Sequence, residues 1–148
     1  MKKVNIKNRM EEKSMDISEL YEKYKKLEER VAQLEFREEF LRYENSINGI
    51  ILDYNLTRDE YNKVMDIMDE MRDKIDNHKE VSNADFENKI IGIFGGDIAA
   101  AKRSVPIEYH FCEYVAKAFM EDGRWEEVFP ALYGDMNKYQ FLKDKDNE

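Results

Sequence analysis

From Ile17 the apolar positions fall in alternating steps of three and four: Ile17, Leu20, Tyr24, Leu27, Val31, Leu34 and Leu41, with Glu38 filling the remaining place. With Ile17 at heptad position a, the a positions hold Ile17, Tyr24, Val31 and Glu38, and every d position is leucine. Leucine at d over more than three heptads is the seam of a coiled coil, and Ile and Val at a lean towards two strands. An amphipathic helix lying on its own domain carries a similar stripe, so the flanking charges discriminate. Positions g hold Lys23, Arg30 and Arg37, and positions e hold Glu28 and Glu35. In a parallel self-pair, g of one helix faces the following e of its partner, which sets Lys23 against Glu28 and Arg30 against Glu35. An antiparallel pair sets like charges together. The pattern predicts a homo-oligomer, with a parallel dimer favoured, although each exposed charge contact is worth only about a few tenths of a kcal/mol. Tyr24 is bulky at a, and Glu38 is costly there if buried.

Past the seam the pattern changes. Phe36, Phe40, Tyr43, Ile47, Ile50, Ile51, Leu52 and Tyr54 are too apolar for a solvated helix and predict core, with a break near Asn45 to Gly49. The segment Leu56-Thr57-Arg58-Asp59-Glu60-Tyr61 is a capping box inside a hydrophobic staple, and Asp59 and Glu60 suit the positive end of a helix dipole. The helix it starts carries Tyr61, Val64, Met65, Met68, Met71 and Ile75 on one face. That methionine stripe reads as core in preference to a promiscuous groove. Ser82 with Asp85 caps a further helix with Phe86, Ile90, Ile91 and Phe94, ended by Gly95-Gly96. Asp97 to Arg103 predicts a short turn of helix. Ser104 and Pro106 then start a helix carrying Ile107, Phe111, Tyr114, Val115, Ala118 and Phe119, closed by Gly123. Arg124 to Tyr133 reads as one more helix, kinked by Pro130.

The expected fold is therefore all-α: residues 1–15 disordered, 16–42 an oligomerising helix, 43–142 a compact bundle of about five helices, and 143–148 a mobile acidic tail. Composition agrees. Six Gly and two Pro in 148 residues are too few for a turn-rich β protein, and 39% charged residues exceed the usual quarter. Residues 1–56 carry 11 basic and 12 acidic side chains, whereas 57–148 carry 13 and 21, so nearly all of the net charge of −9 lies in the second stretch. A surface this acidic repels phosphate backbones, which disfavours nucleic acid as a partner. Lys2, Lys3, Lys7 and Arg9 are the one basic cluster and read as the start of the disordered terminus. The single cysteine, Cys112, fits a reducing compartment. With no signal-type or membrane-length apolar run, the expected location is cytoplasmic, with no membrane partner.

The stretches 34–75 and 86–136 resemble the YhaI-like family of short helical bacterial proteins. The likeness is carried by Ile50-Ile51-Leu52-Asp53-Tyr54-Asn55-Leu56-Thr57-Arg58-Asp59-Glu60, by Val64-Met65, and by Phe119-Met120-Glu121-Asp122-Gly123-Arg124-Trp125-Glu126-Glu127-Val128-Phe129. It covers about two-thirds of the chain and departs in the longer first helix and around Ala99 to Pro106. The resemblance implies a helical fold and brings no catalytic residues.

The candidate chemistry is thin. Glu35 and Glu38, with Glu70 and Asp73, form two carboxylate pairs at a spacing of three. Two such helices face to face could hold Mg²⁺ on carboxylate oxygens, an arrangement similar to the all-α nucleotide pyrophosphohydrolases of the MazG type. The gap between the pairs is longer than in that family, and solvated acidic faces are the plainer reading. His110, Cys112 and Glu113 make a poor chelate, because residues two apart on a helix diverge. His78 lies in another segment, and Cys112 reads as a small buried hydrophobe. Gly92, Gly95 and Gly96 form no phosphate loop. Trp125 and Tyr133 read as anchors of the last helix pair. No cofactor or resident metal is expected, and the function predicted is a non-enzymatic oligomeric interaction module, an adaptor or inhibitor, that binds itself or another protein.

Overall fold

The computed structural model describes residues 6–41, 45–95 and 107–140, with side chains from residue 16 onward except those of Tyr109 and Asn137. These residues form six α-helices: α1 (Ile6–Leu41), α2 (Ser46–Asp53), α3 (Arg58–Asp76), α4 (Asn83–Ile93), α5 (Tyr109–Glu121) and α6 (Val128–Tyr133). A 3₁₀ turn at Asn137–Tyr139 follows, and no strand occurs among the described residues. The fold is all-α, as the periodicities predict. The chain divides into two units, Met1–Glu38 and Glu39–Glu148. No described helix is long and apolar enough to cross a membrane.

The described part of the first unit is one helix. It begins at Ile6, which corrects the expectation of disorder for residues 6–15; residues 1–5 lie outside the described residues. Lys, Arg, Glu and Met are good helix formers, and extending a nucleated helix is far less costly than starting one. Weak periodicity in that stretch therefore did not preclude helix.

In the second unit α5 lies against α2, α4 and α6, and α3 against α4 and α6. Ile51, Val64, Met68, Met71, Phe86, Ile90, Phe111, Val115, Phe119, Val128 and Phe129 form its buried core. The methionine stripe is thus interior: Met68 and Met71 have no exposed surface. Aromatic edges lock the elements together, with Phe40 on Tyr61 at 5.4 Å and Tyr54 and Phe94 on Phe111 at 4.7 and 5.3 Å between centroids.

Helix starts follow the sequence closely. The Thr57 hydroxyl accepts from the Glu60 N–H, and the Glu60 carboxylate accepts from the Thr57 N–H, completing the capping box. Ser82 accepts from the Asp85 N–H. At α2 the cap is partly remote. Asn45 accepts from the Asn48 N–H, while the two carboxylate oxygens of Asp122, at the end of α5, accept from the N–H groups of Ser46 and Ile47, each bond at 2.9 Å. The N–H groups of Ser46, Ile47 and Asn48, which a helix start otherwise leaves to water, are thus used.

Three helix ends share one geometry. After α2, α3 and α5 the chain enters the left-handed region at Asn55 (φ 51°), His78 (φ 56°) and Gly123 (φ 73°). In each case the next residue's N–H reaches back five positions in the chain, Leu56 to Ile51, Lys79 to Lys74 and Arg124 to Phe119, at 2.8–3.0 Å. These are Schellman motifs. Only the Gly123 example carries the residue that makes the motif obvious in sequence.

The expected helix from Arg124 to Tyr133 is shorter. Arg124 to Glu127 form a turn, with Trp125 at φ 45°, and α6 starts at Val128. Pro130 then sits in the first turn of α6, where its missing N–H has no helical acceptor to lose, so no kink arises. Ile107 precedes α5, whose N-cap Glu108 makes no side-chain cap bond. The expected turn at Asp97 to Arg103, the start at Ser104 and Pro106, and the tail 143–148 lie outside the described residues.

Candidate association surface on the first helix

All seven apolar residues of the predicted seam are exposed, from 50% at Val31 to 68% at Leu41, and Tyr21 beside them is 56% exposed. Glu38, in the same stripe, is exposed as well. Phe36, by contrast, is 2% exposed. At 100° per residue Phe36 lies about 200° around the helix from Leu34. The helix therefore carries two apolar faces at its C-terminal end, and the heptad stripe is not the buried one.

The flanks of the stripe are charged and solvated. Lys23, Arg30, Glu28 and Glu35 are all exposed, and Arg37 is half-buried. The Tyr24 hydroxyl hydrogen-bonds to Glu28, one turn on, and this contact raises its pKa. The Lys25 ammonium lies 4.8 Å from the centre of the Tyr21 ring. Tyr24 thus has its hydroxyl served within the helix, and the Tyr21 ring is met by a cation from the next turn.

The other candidates resolve into structural roles. Glu35 and Glu38 are exposed on α1. Glu70 accepts from Lys89 and lies 3.5 Å from Lys74, and Lys89 foremost holds its carboxylate below the ordinary range. The two lysines also reach Asp85 at 3.1 and 3.6 Å, joining α3 to α4. Asp73 is exposed, and among the described residues no group of three or more His, Cys, Asp and Glu side chains is arranged to hold a metal ion. Cys112 is fully buried, its Sγ near the carbonyls of Glu87 and Glu108, and burial pushes its thiol up to about 12. A thiolate nucleophile is disfavoured at such a site.

Trp125 is 8% exposed. Its Nε1 donates to Asp69 at 2.8 Å, and its ring meets Phe119 at 4.9 Å and the Arg124 guanidinium at 4.8 Å. These contacts hold a bulky residue in a backbone region it rarely adopts. Tyr133 is buried and donates to Glu87. A shallow groove of about 400 Å³ between α2 and α5 is lined by Ile50, Tyr54, Tyr114 and Lys117, with Asp53 and Glu121 adding opposite charge.

One cluster is not apparent in the sequence. Glu113 is 5% exposed and accepts from the Tyr139 hydroxyl, with Lys138 Nζ at 2.6 Å and His110 Nδ1 at 3.9 Å. Burial raises its pKa, but Lys138 and Tyr139 outweigh burial and hold the carboxylate below the ordinary range. The i, i+3 spacing of His110 and Glu113 was the available signal; nothing local points to Lys138 and Tyr139.

No family model matches the chain, and no curated protein or solved structure matches it.

Proposed function

We propose that this is a non-enzymatic, cytoplasmic protein-interaction module that self-associates through the α1 stripe and acts as an adaptor or inhibitor. The observation that carries the reading is the exposure of Ile17, Leu20, Tyr24, Leu27, Val31, Leu34 and Leu41 along one helix face. Each such side chain left in water forgoes on the order of 1 kcal/mol or more. A continuous exposed apolar stripe with charged margins is the signature of an association site. Kinship with the YhaI-like family belongs to the same proposal and adds no residue roles. The test is solution mass. The native chain is expected as a dimer, and Leu27→Glu/Leu34→Glu as a folded monomer with unchanged helix content. A native monomer at micromolar concentration contradicts the proposal.

A further inference from the structure

We infer that the occupant of the α1 stripe is a second copy of this chain lying parallel and in register, so that a two-stranded coil carries both acidic units at one end. This rests on the self-association reading and adds orientation and register to it.

The first support is continuity. The α1 backbone is helical without interruption from Ile6 to Leu41, 36 residues, or about 54 Å at 1.5 Å per residue. The heptad frame set by Ile17 therefore runs back through the helix, placing Met10 at a and Ile6 at d, with Lys13 at the d position between them. The apolar stripe itself covers little more than three heptads from Ile17, and the helix continues unbroken beyond it.

The second support is charge. A parallel in-register pair forms Lys23–Glu28 and Arg30–Glu35 contacts twice over by symmetry, and all four side chains are exposed on the margins of the stripe. An antiparallel pair sets Lys23 and Arg30 against basic positions and Glu28 and Glu35 against acidic ones, turning every contact repulsive.

The third support is the composition of the seam: Ile17 and Val31 at a, with leucine at every d position from Leu20 to Leu41, favour two strands.

The experiment uses the full chain with Leu20→Cys or Val31→Cys, oxidised by glutathione disulfide and read on non-reducing gels beside solution mass. The native chain is the blank, because Cys112 is fully buried. Leu20→Cys is expected to shift almost wholly to a species of twice the chain mass, and no mixed crosslink is expected between Leu20→Cys and Val31→Cys. In a parallel pair those positions are about 16 Å apart along the helix, beyond disulfide reach. An antiparallel pair centred on Ile17 to Leu34, the part of the stripe before Glu38, sets position 20 against position 31, so a dominant mixed crosslink overturns the parallel arrangement. A dimeric mass with no Leu20→Cys crosslink overturns the register, and a mass of three or four chains overturns the strand number; in each case self-association stands. A monomeric native chain defeats both this inference and the reading beneath it.

Discussion

Helices α1 and α3 both carry a clean apolar face at helical spacing, yet they end in opposite environments. Tyr61, Val64, Met68 and Met71 on α3 are 8% exposed or less, while no seam residue on α1 falls below 50%. Periodicity says that a face needs a partner; it does not say which chain supplies one. The supply is decided by what the chain places next. A Schellman turn through His78 and a serine cap at Ser82 return α4 onto α3 within a few residues. At 36 residues α1 is nearly twice as long as α3, the next longest described helix at 19, so no described helix matches it in length. Under the proposed self-association, a second copy is a partner of matching length.

That contrast can be broken most forcefully at the core. Phe119→Ala is expected to cost about 3–5 kcal/mol, the usual loss for a buried phenylalanine, in urea unfolding followed by fluorescence of Trp125, the only tryptophan. Leu27→Ala is expected to leave that transition within about 0.5 kcal/mol, because Leu27 is 55% exposed. Equal losses would place the stripe inside the cooperative core and dissolve the distinction.

The helix ends give smaller effects that sharpen it. Gly123→Ala, at φ 73°, is expected to destabilise the second unit by about 1–2 kcal/mol. The reverse change His78→Gly, at φ 56°, is expected to stabilise it by about 1 kcal/mol. Loss of the capping box in Thr57→Ala is expected to cost about 1 kcal/mol. Melting of each variant checks all three, and a destabilising His78→Gly would mean that the imidazole contributes more than its backbone strain removes.

Acid should loosen the second unit locally. The Glu113 carboxylate is held below its ordinary range, so the stability it lends is fully present above the unfolded carboxylate value of about 4.3 and is lost as pH falls through the lower folded value. Amide exchange in residues 137–140 is expected to accelerate over that acidic window, and Glu113→Gln to show fast exchange already at neutral pH. The smallest signal is chemical. Cys112, buried and with its thiol pushed up to about 12, is expected to react with a thiol reagent only as fast as the second unit opens.

Much of the fold was legible because its determinants are local. The capping box at Thr57, the weaker cap at Ser82, the core face of α3 and the Gly123 stop each depend on residues within one or two turns. The heptad stripe was legible for the same reason, and its exposure was not, since exposure depends on the whole chain. Four features escaped. The Asp122 cap on α2 joins residues 75 and 76 positions apart, and the Glu113–Tyr139 bond joins residues 26 apart, with Lys138 beside it, and no local pattern announces them. The turn at Arg124 to Glu127 escaped because Trp125 occupies a left-handed backbone that its residue type disfavours, held there by Asp69, Phe119 and Arg124. Helix at Ile6 to Met15 escaped because composition favours helix there while periodicity is weak.

Whether the α1 stripe holds two chains together is read by light scattering coupled to size-exclusion chromatography. A native mass of two chains is expected, and a folded single chain for Leu27→Glu/Leu34→Glu. A native mass of one chain, unchanged by the double substitution, would contradict it.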